Sequence, residues 1–282
     1  TSLEFDHGDI NPHVEAIEQA FRWMLRQIPR SGKLILCAEE QRVCGLADYA
    51  FSEVLTYGWK EGADYRGEFC SVPGAYPHLS VTKRDNHLGV FELSFWGRHN
   101  ALNALAAIAV ADLFDIPMET VRFALKTFKG VRRRMEVFLE VNGAVFVDDF
   151  AHHPTAIRET VRATRLRWPS CRIRVLCEPR SNTMVTKRFQ SDLVQSFFEA
   201  DEVALGPVYR AGTMPPEERL DREAVCRELE KQGKCAYVED DVQQLARRVW
   251  GTLAEGDVVL ILSNGAFGGI YDMFRAMANR TP

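Results

Sequence analysis

Two carboxylates and two imidazoles fall within six positions in the stretch Asp148-Asp149-Phe150-Ala151-His152-His153, which Pro154-Thr155 follows. An apolar run from Val137 to Val147 leads into it, and proline suits the first turn of a helix. In an open α/β sheet, ligands occupy the crevice beyond the carboxyl ends of the strands, where the amide groups of a new helix favour anions. One such residue reads equally well as a helix cap, for Asp149, or as a surface histidine. Four together point to a site. A metal-dependent hydrolase built on Asp148, Asp149, His152 and His153 is the least favoured use of them, because neighbours on a strand point to opposite faces and would not converge on one ion.

Three further segments carry groups of the right kind. Gly97-Arg98-His99-Asn100-Ala101-Leu102-Asn103 opens an Ala-rich helix whose i, i+3 spacing puts Asn100 and Asn103 on neighbouring parts of one face. Asparagine offers a donor and an acceptor together, as reading a nucleobase edge requires, although Asn100 as a helix cap and Asn103 as a surface residue fit the pattern equally well. Arg134 follows a glycine, Gly130, that serves as a hinge candidate, and its guanidinium suits phosphate; Arg132 and Arg133 read as solvent-facing. Cys177-Glu178-Pro179-Arg180-Ser181-Asn182-Thr183 ends another apolar run, and Arg180 suits a substrate carboxylate, with a surface ion pair as the plainer use. Ser263-Asn264-Gly265-Ala266-Phe267-Gly268-Gly269 lacks the spacing of a dinucleotide loop, and Ser31-Gly32-Lys33-Leu34 lacks most of a phosphate loop.

The elements that must position these groups follow an α/β rhythm. Helix from about Val14 to Gln27, with Ile17, Ala20, Phe21, Met24 and Leu25 on one face, leads to a strand over 34–38, a helix over 40–49 and a strand over 53–57. Antiparallel strands are expected over 76–82 and 88–95, then helices over 99–114 and 117–128, the second closed by Gly130 as a C-cap. Asn142-Gly143 supplies a type I′ hairpin turn. From Pro154, helix to 167, strand 171–177, helix 189–199, strand 201–206, helix 221–230, strand 234–238, helix 240–250, strand 257–262 and a last helix describe a doubly wound sheet. At 282 residues two domains are expected. A net charge of -4 argues against nucleic acid as the partner, and the lack of a long apolar run or signal peptide argues for a cytoplasmic protein without a membrane span. Seven cysteines without a C-x-x-C pair read as reduced residues.

Taken together, Leu3-Glu4-Phe5-Asp6-His7, Gly97 to Asn103, Arg133-Arg134-Met135-Glu136 and Asp148 to Thr155 resemble, in order, the motifs of the Mur ligase family, ATP-dependent enzymes that build the peptide of the bacterial cell wall. The resemblance implies that residues 1–131 are the C-terminal part of the family's central ATPase domain and 132–282 its Rossmann-like C-terminal domain, with the UDP-sugar domain and the phosphate loop upstream of Thr1. On that basis this chain alone is expected to be inactive. It implies ATP and magnesium as cofactors, His7 as a magnesium ligand, His99, Asn100 and Asn103 at the adenine or ribose, and Arg134 and Asp149 against the nucleotide. His152 and Arg180 are implied as catalytic groups facing the reacting phosphate or the incoming peptide. Magnesium prefers oxygen, so His7 by itself would hold it poorly. Within the family, Glu178 to Met184 and Ser263 to Gly269 look like the branch that joins UDP-N-acetylmuramate to the tripeptide L-alanyl-γ-D-glutamyl-meso-diaminopimelate in cell-wall recycling. The alternatives are the branch that adds L-alanine and, in another class, a non-catalytic nucleotide- or peptide-binding module.

Overall fold

The structure is a computed structural model and describes residues 1–6, 13–210, 212 and 215–280. His7, the expected metal ligand, lies outside the described residues. The chain divides into two compact units, Thr1–Lys129 and Gly130–Pro282.

The first unit holds α1 (Val14–Leu25), β1 (Lys33–Cys37), α2 (Gln41–Cys44) with a 3-10 turn over Gly45–Tyr49, and β2 (Glu53–Gly58). It continues with β3 (Tyr65–Cys70), β4 (His78–Lys83), β5 (Asn86–Glu92), α3 (Arg98–Leu113) and α4 (Met118–Thr127). Its sheet runs in the order β1-β2-β3-β4-β5, parallel as far as β3 and antiparallel beyond. Ala101, Ala104, Leu105, Ile108 and Ala109 are buried on α3, the i, i+3, i+4 stripe of a core-facing helix.

Three expectations need correction here. The strand β3 was not anticipated, because Gly67 breaks its alternation of apolar and polar residues. That glycine is needed, since a Cβ there would come within 2.8 Å of the Trp59 ring and 3.0 Å of Leu105. On α1 the inward stripe is Val14, Ile17, Phe21 and Leu25, while Ala20 and Met24 are exposed, so the true stripe is one residue narrower on that side. Gly130 has φ +82, but α4 has already ended at Thr127 with Phe128 extended, so the glycine is no C-cap.

The second unit holds β6 (Glu136–Val141), β7 (Ala144–Asp149), α5 (Pro154–Arg167), β8 (Arg172–Cys177), α6 (Gln190–Ser196) and β9 (Glu202–Leu205). There follow α7 (Arg222–Lys231), β10 (Cys235–Val238), α8 (Val242–Gly251), β11 (Asp257–Leu262) and α9 (Ile270–Ala278). The sheet order is β10-β9-β8-β11-β7-β6, all parallel except β6. This is the expected doubly wound arrangement. Asn142 and Gly143 both have positive φ, at 50° and 74°, as a type I′ turn between β6 and β7 requires. The caps are local too: Asp221 accepts from Ala224 N–H, and Asp241 from Gln243 and Gln244, at the starts of α7 and α8.

The helices sort onto two faces. Helix α5 packs on α6 and α6 on α7, while α8 packs on α9. Phe146, Leu176, Ala204, Val259 and Ile261 point from the strands into a core closed by Leu245 and Val249 of α8 and by Ile270 and Phe274 of α9. Side chains of alternate strand residues, such as Val147, Val175 and Leu260, are equally buried on the other face. No helix among the described residues is long and apolar enough to cross a membrane.

The amino end of this sheet is held by a buried ion network. Arg174, 1% exposed, donates to both oxygens of Glu202 at 3.1 and 3.0 Å, to Asp257 at 3.1 Å and to Thr252 Oγ1 at 2.8 Å. Burial opposes its charge, and the two carboxylates more than offset this, so its pKa is raised. Removing only the cation would leave Glu202 to Arg172 and Tyr237 and would leave Asp257 with the Ala254 N–H but without the cation that faces it. Arg174→Leu is expected to cost about 3–5 kcal/mol in denaturant unfolding of the chain, and a loss below about 1 kcal/mol would contradict the network's role.

Candidate functional site

At the carboxyl end of the second sheet, strand order decides what can meet. The chain forms β7, β8, β9 and β10 in one direction and then returns to place β11 between β7 and β8. The loops leaving β7, β11 and β8 are therefore side by side, and they lead to helices on different faces of the sheet, α5 and α9. A crevice opens at such a reversal. The expected residues Asp149, His152 and Arg180 all lie on these loops.

Asp149, 2% exposed, ends β7. Its Oδ2 accepts from Met135 N–H at 2.8 Å and its Oδ1 from Ala151 N–H at 2.8 Å and from Thr160 Oγ1 at 3.4 Å. Arg134, half exposed, approaches Oδ1 at 3.9 Å. Burial raises the carboxyl pKa, and the two backbone bonds and Arg134 offset only part of the rise. Asp149 does not cap α5. His153 does so, its Nδ1 accepting from Thr155 N–H at 3.3 Å while its ring packs on Phe189. His152 Nδ1 sits 2.8 Å from the Phe150 carbonyl, to which it donates, so Nε2 is the nitrogen left to take a proton.

Arg133 overturns its expectation of a solvent-facing side chain, whereas Arg132 is exposed as expected. The Arg133 guanidinium donates to Asp148 Oδ2 at 3.0 Å, to the carbonyls of Ser263 and Gly265 at 2.6 and 3.0 Å, and to Tyr271 Oη at 3.3 Å. Positive φ at Arg133 and Met135, 56° and 49°, bends the segment so that consecutive arginines diverge. Asp148 is thereby committed to Arg133 and to Tyr271, which donates to it at 2.8 Å. Tyr271 is correspondingly hard to ionise, mainly through burial and then through Asp148.

At the end of β8, Glu178 is 6% exposed and accepts from Arg180 Nη1 at 3.4 Å and from the hydroxyl of Ser263. The Arg180 guanidinium lies 3.7 Å over the Tyr209 ring, on the loop that follows β9. Glu178, Ser263 and Tyr209 were not singled out from the sequence; for Glu178 the available signal was a carboxylate placed directly after an apolar strand. Cys177, beside it, is fully buried with its thiol pushed up to about 12, and so is no nucleophile. A hollow of about 250 Å³ between α5 and α6, lined by Arg158, Arg162, Gln195 and Phe198 among others, lies on the helix surface instead of the strand ends. Its arginines are paired with Glu159 and Glu199, and no expected site residue lines it.

In the first unit, Asn100 Nδ2 donates to the Trp96 carbonyl at 2.8 Å, which leaves Oδ1 as an acceptor. Asn103 is exposed one turn on, His99 is half-buried, and Arg98 covers the Trp59 ring at 4.5 Å. An amide acceptor beside a free amide on one helix face fits a nucleobase edge. For magnesium the described residues offer less: none of them form a group of three or more His, Cys, Asp or Glu side chains able to hold a metal.

Comparison with known proteins decides the family. The profile of the Mur ligase middle domain matches residues 1–111, and that of the Mur ligase glutamate ligase domain matches residues 133–265. The chain belongs to the Mur ligase family. The UDP-N-acetylmuramate–L-alanine ligase of Salinibacter ruber is 35% identical over 265 residues, 94% of this chain and 56% of that protein. The ligase of the same name from Desulfatibacillum aliphaticivorans is 30% identical over 281 residues, 98% of this chain and 60% of that one. Among solved structures, a murein peptide ligase from Psychrobacter arcticus is 29% identical with a TM-score of 0.66, over 95% of this chain and 55% of that one. The chain thus spans between half and two thirds of the length of these relatives.

The buried carboxyl of Asp149 gives a pH test. Its folded pKa is raised, so the folded chain holds the proton more tightly than the unfolded one, and stability falls as pH rises from about 4 through the folded pKa. Unfolding measured from pH 4 to 7 should show this decline in the wild type, and Asp149→Asn should flatten it; an unchanged slope in the variant would contradict the assignment.

Proposed function

We propose that this chain is the nucleotide- and acceptor-handling part of an ATP-dependent ligase that forms an amide bond on the carboxylate of UDP-N-acetylmuramate. Residues 1–131 would belong to the central ATP-binding domain and 132–282 to the Rossmann-like domain that receives the acceptor. The observation that carries this reading is the meeting of Asp149, His152 and Arg180 at the strand-order reversal of a Mur ligase C-terminal domain.

The chemistry balances in two steps. The γ-phosphoryl group of ATP passes to a carboxylate oxygen of the muramate, releasing ADP and leaving an acyl phosphate. The amine of the acceptor then adds to the acyl carbon, the new C–N bond forms, and inorganic phosphate leaves with the bonding pair of the C–O bond. The amine must lose a proton on the way, and His152 Nε2 would take it, the ring being oriented by the Nδ1–H bond to the Phe150 carbonyl. Arg180 would hold a carboxylate of the acceptor, and Arg134, half exposed, would meet nucleotide phosphate. Asn100 Oδ1 and Asn103 would read the adenine edge, with His99 beside them. Magnesium supplies charge neutralisation on the transferring phosphoryl group in reactions of this class.

Two acceptors have support. The similar ligases of Salinibacter ruber and Desulfatibacillum aliphaticivorans are named for L-alanine, and that favours free L-alanine over the tripeptide expected from the sequence. The segments Glu178 to Met184 and Ser263 to Gly269, together with the likeness to the murein peptide ligase, favour the tripeptide L-alanyl-γ-D-glutamyl-meso-diaminopimelate. The test is ligation by the full-length protein with each acceptor in turn, ATP and UDP-N-acetylmuramate being fixed. One acceptor should be preferred in kcat/KM by on the order of a hundredfold, and Arg180→Ala should raise the KM of that acceptor at least tenfold. Turnover of neither acceptor would sink the reading.

A further inference from the structure

A buried carboxylate is costly unless its oxygens are hydrogen-bonded. Glu178 meets that condition by joining two loops. Its Oε1 accepts from Arg180 Nη1 at 3.4 Å, and its Oε2 accepts from the Ser263 hydroxyl at the end of β11. Ser263 Oγ in turn accepts from Gly265 N–H at 2.9 Å, and the Ser263 and Gly265 carbonyls are both held by Arg133. The backbone of Gly265 passes directly beside Arg180, since a Cβ there would lie 2.2 Å from Nε. On its other side Arg180 rests on Tyr209, whose N–H is tied to the Pro179 carbonyl at 2.9 Å. The guanidinium is therefore confined by a carboxylate, a glycine backbone and a ring, and the carboxylate is fixed from a different strand.

We infer that Glu178 is a positioning residue which, through its bond to Ser263, sets Arg180 in place to receive the acceptor's carboxylate. This rests on the proposed reading of Arg180 as the acceptor-binding cation. A carboxylate at 178 gives the guanidinium a charged acceptor while its second oxygen takes the Ser263 hydroxyl. A glutamine that turns its NH₂ to Ser263 Oγ, which can accept as well as donate, offers the guanidinium only a neutral oxygen, and the charge-assisted bond is lost. Serine at 263 supplies what alanine cannot, a hydroxyl that donates to Glu178 while accepting from Gly265.

Two measurements test this. In the full-length protein, Glu178→Gln and Ser263→Ala should each raise the acceptor KM about tenfold, the first by removing the charge from the bond to Arg180 and the second by removing the bond that fixes Glu178, with kcat and the KM of ATP and of UDP-N-acetylmuramate changed less than about twofold. Glu178→Asp should recover part of the loss. In the 282-residue chain, the Nε–H resonance of Arg180 should be shifted by the Tyr209 ring in the wild type and lose that shift in Glu178→Ala, which removes both contacts. An unchanged acceptor KM, or equal loss in all three KM values, would overturn the positioning role. A shift that persists in Glu178→Ala would overturn it whatever the kinetics show. If the wild-type protein ligates neither acceptor while the shift behaves as expected, the substrate reading has failed and the positioning of Arg180 by Glu178 stands as geometry without that substrate.

Discussion

Much of the second unit follows from where β11 lies. By entering the sheet between β7 and β8, it brings Ser263 between two acidic strand ends, Asp148-Asp149 on one side and Glu178 on the other. Buried carboxylates so close to one another must be satisfied separately. Asp149 takes backbone amides, Asp148 takes Arg133 and Tyr271, and Glu178 takes Ser263 and Arg180. Arg180 and Arg134 stand beside Glu178 and Asp149, while His152 is held separately by the Phe150 carbonyl.

The two ends of the sheet do different work with the same kind of interaction. At the amino end, Arg174 is enclosed completely and its partners Glu202 and Asp257 come from strands on either side, so the network locks β8 to β9 and β11. At the carboxyl end, each pairing leaves one group partly open, as in Arg180 beside Glu178 and Arg134 beside Asp149. A strand register fixed below allows loops above to carry exposed charge without loss of geometry.

The α/β alternation of the second unit was legible because its strands are short apolar runs and its helices carry local start signals, Pro154, Asp221 and Asp241. The gathering of Asp149, His152 and Arg180 at one sheet end was legible for the same reason, since each directly follows a run that reads as a strand. What was hidden depended on tertiary context. The triplet Arg132 to Arg134 looks like one solvated turn until the positive φ of Arg133 sends its guanidinium under the loop after β11. Arg174 interrupts the run read as a strand over 171–177, and only the carboxylates of β9 and β11 show why it is buried. In the first unit β3 was concealed by a glycine that exists to let Trp59 and Leu105 approach.

In the proposed reaction an amine attacks an acyl phosphate at the crevice. The most direct test uses UDP-N-acetylmuramate labelled with ¹⁸O in its carboxylate, turned over by the full-length protein with ATP and the acceptor it prefers. Activation as an acyl phosphate predicts one labelled oxygen in the inorganic phosphate for each amide bond formed. Phosphate free of label, with the amide formed at the same rate, would contradict the account.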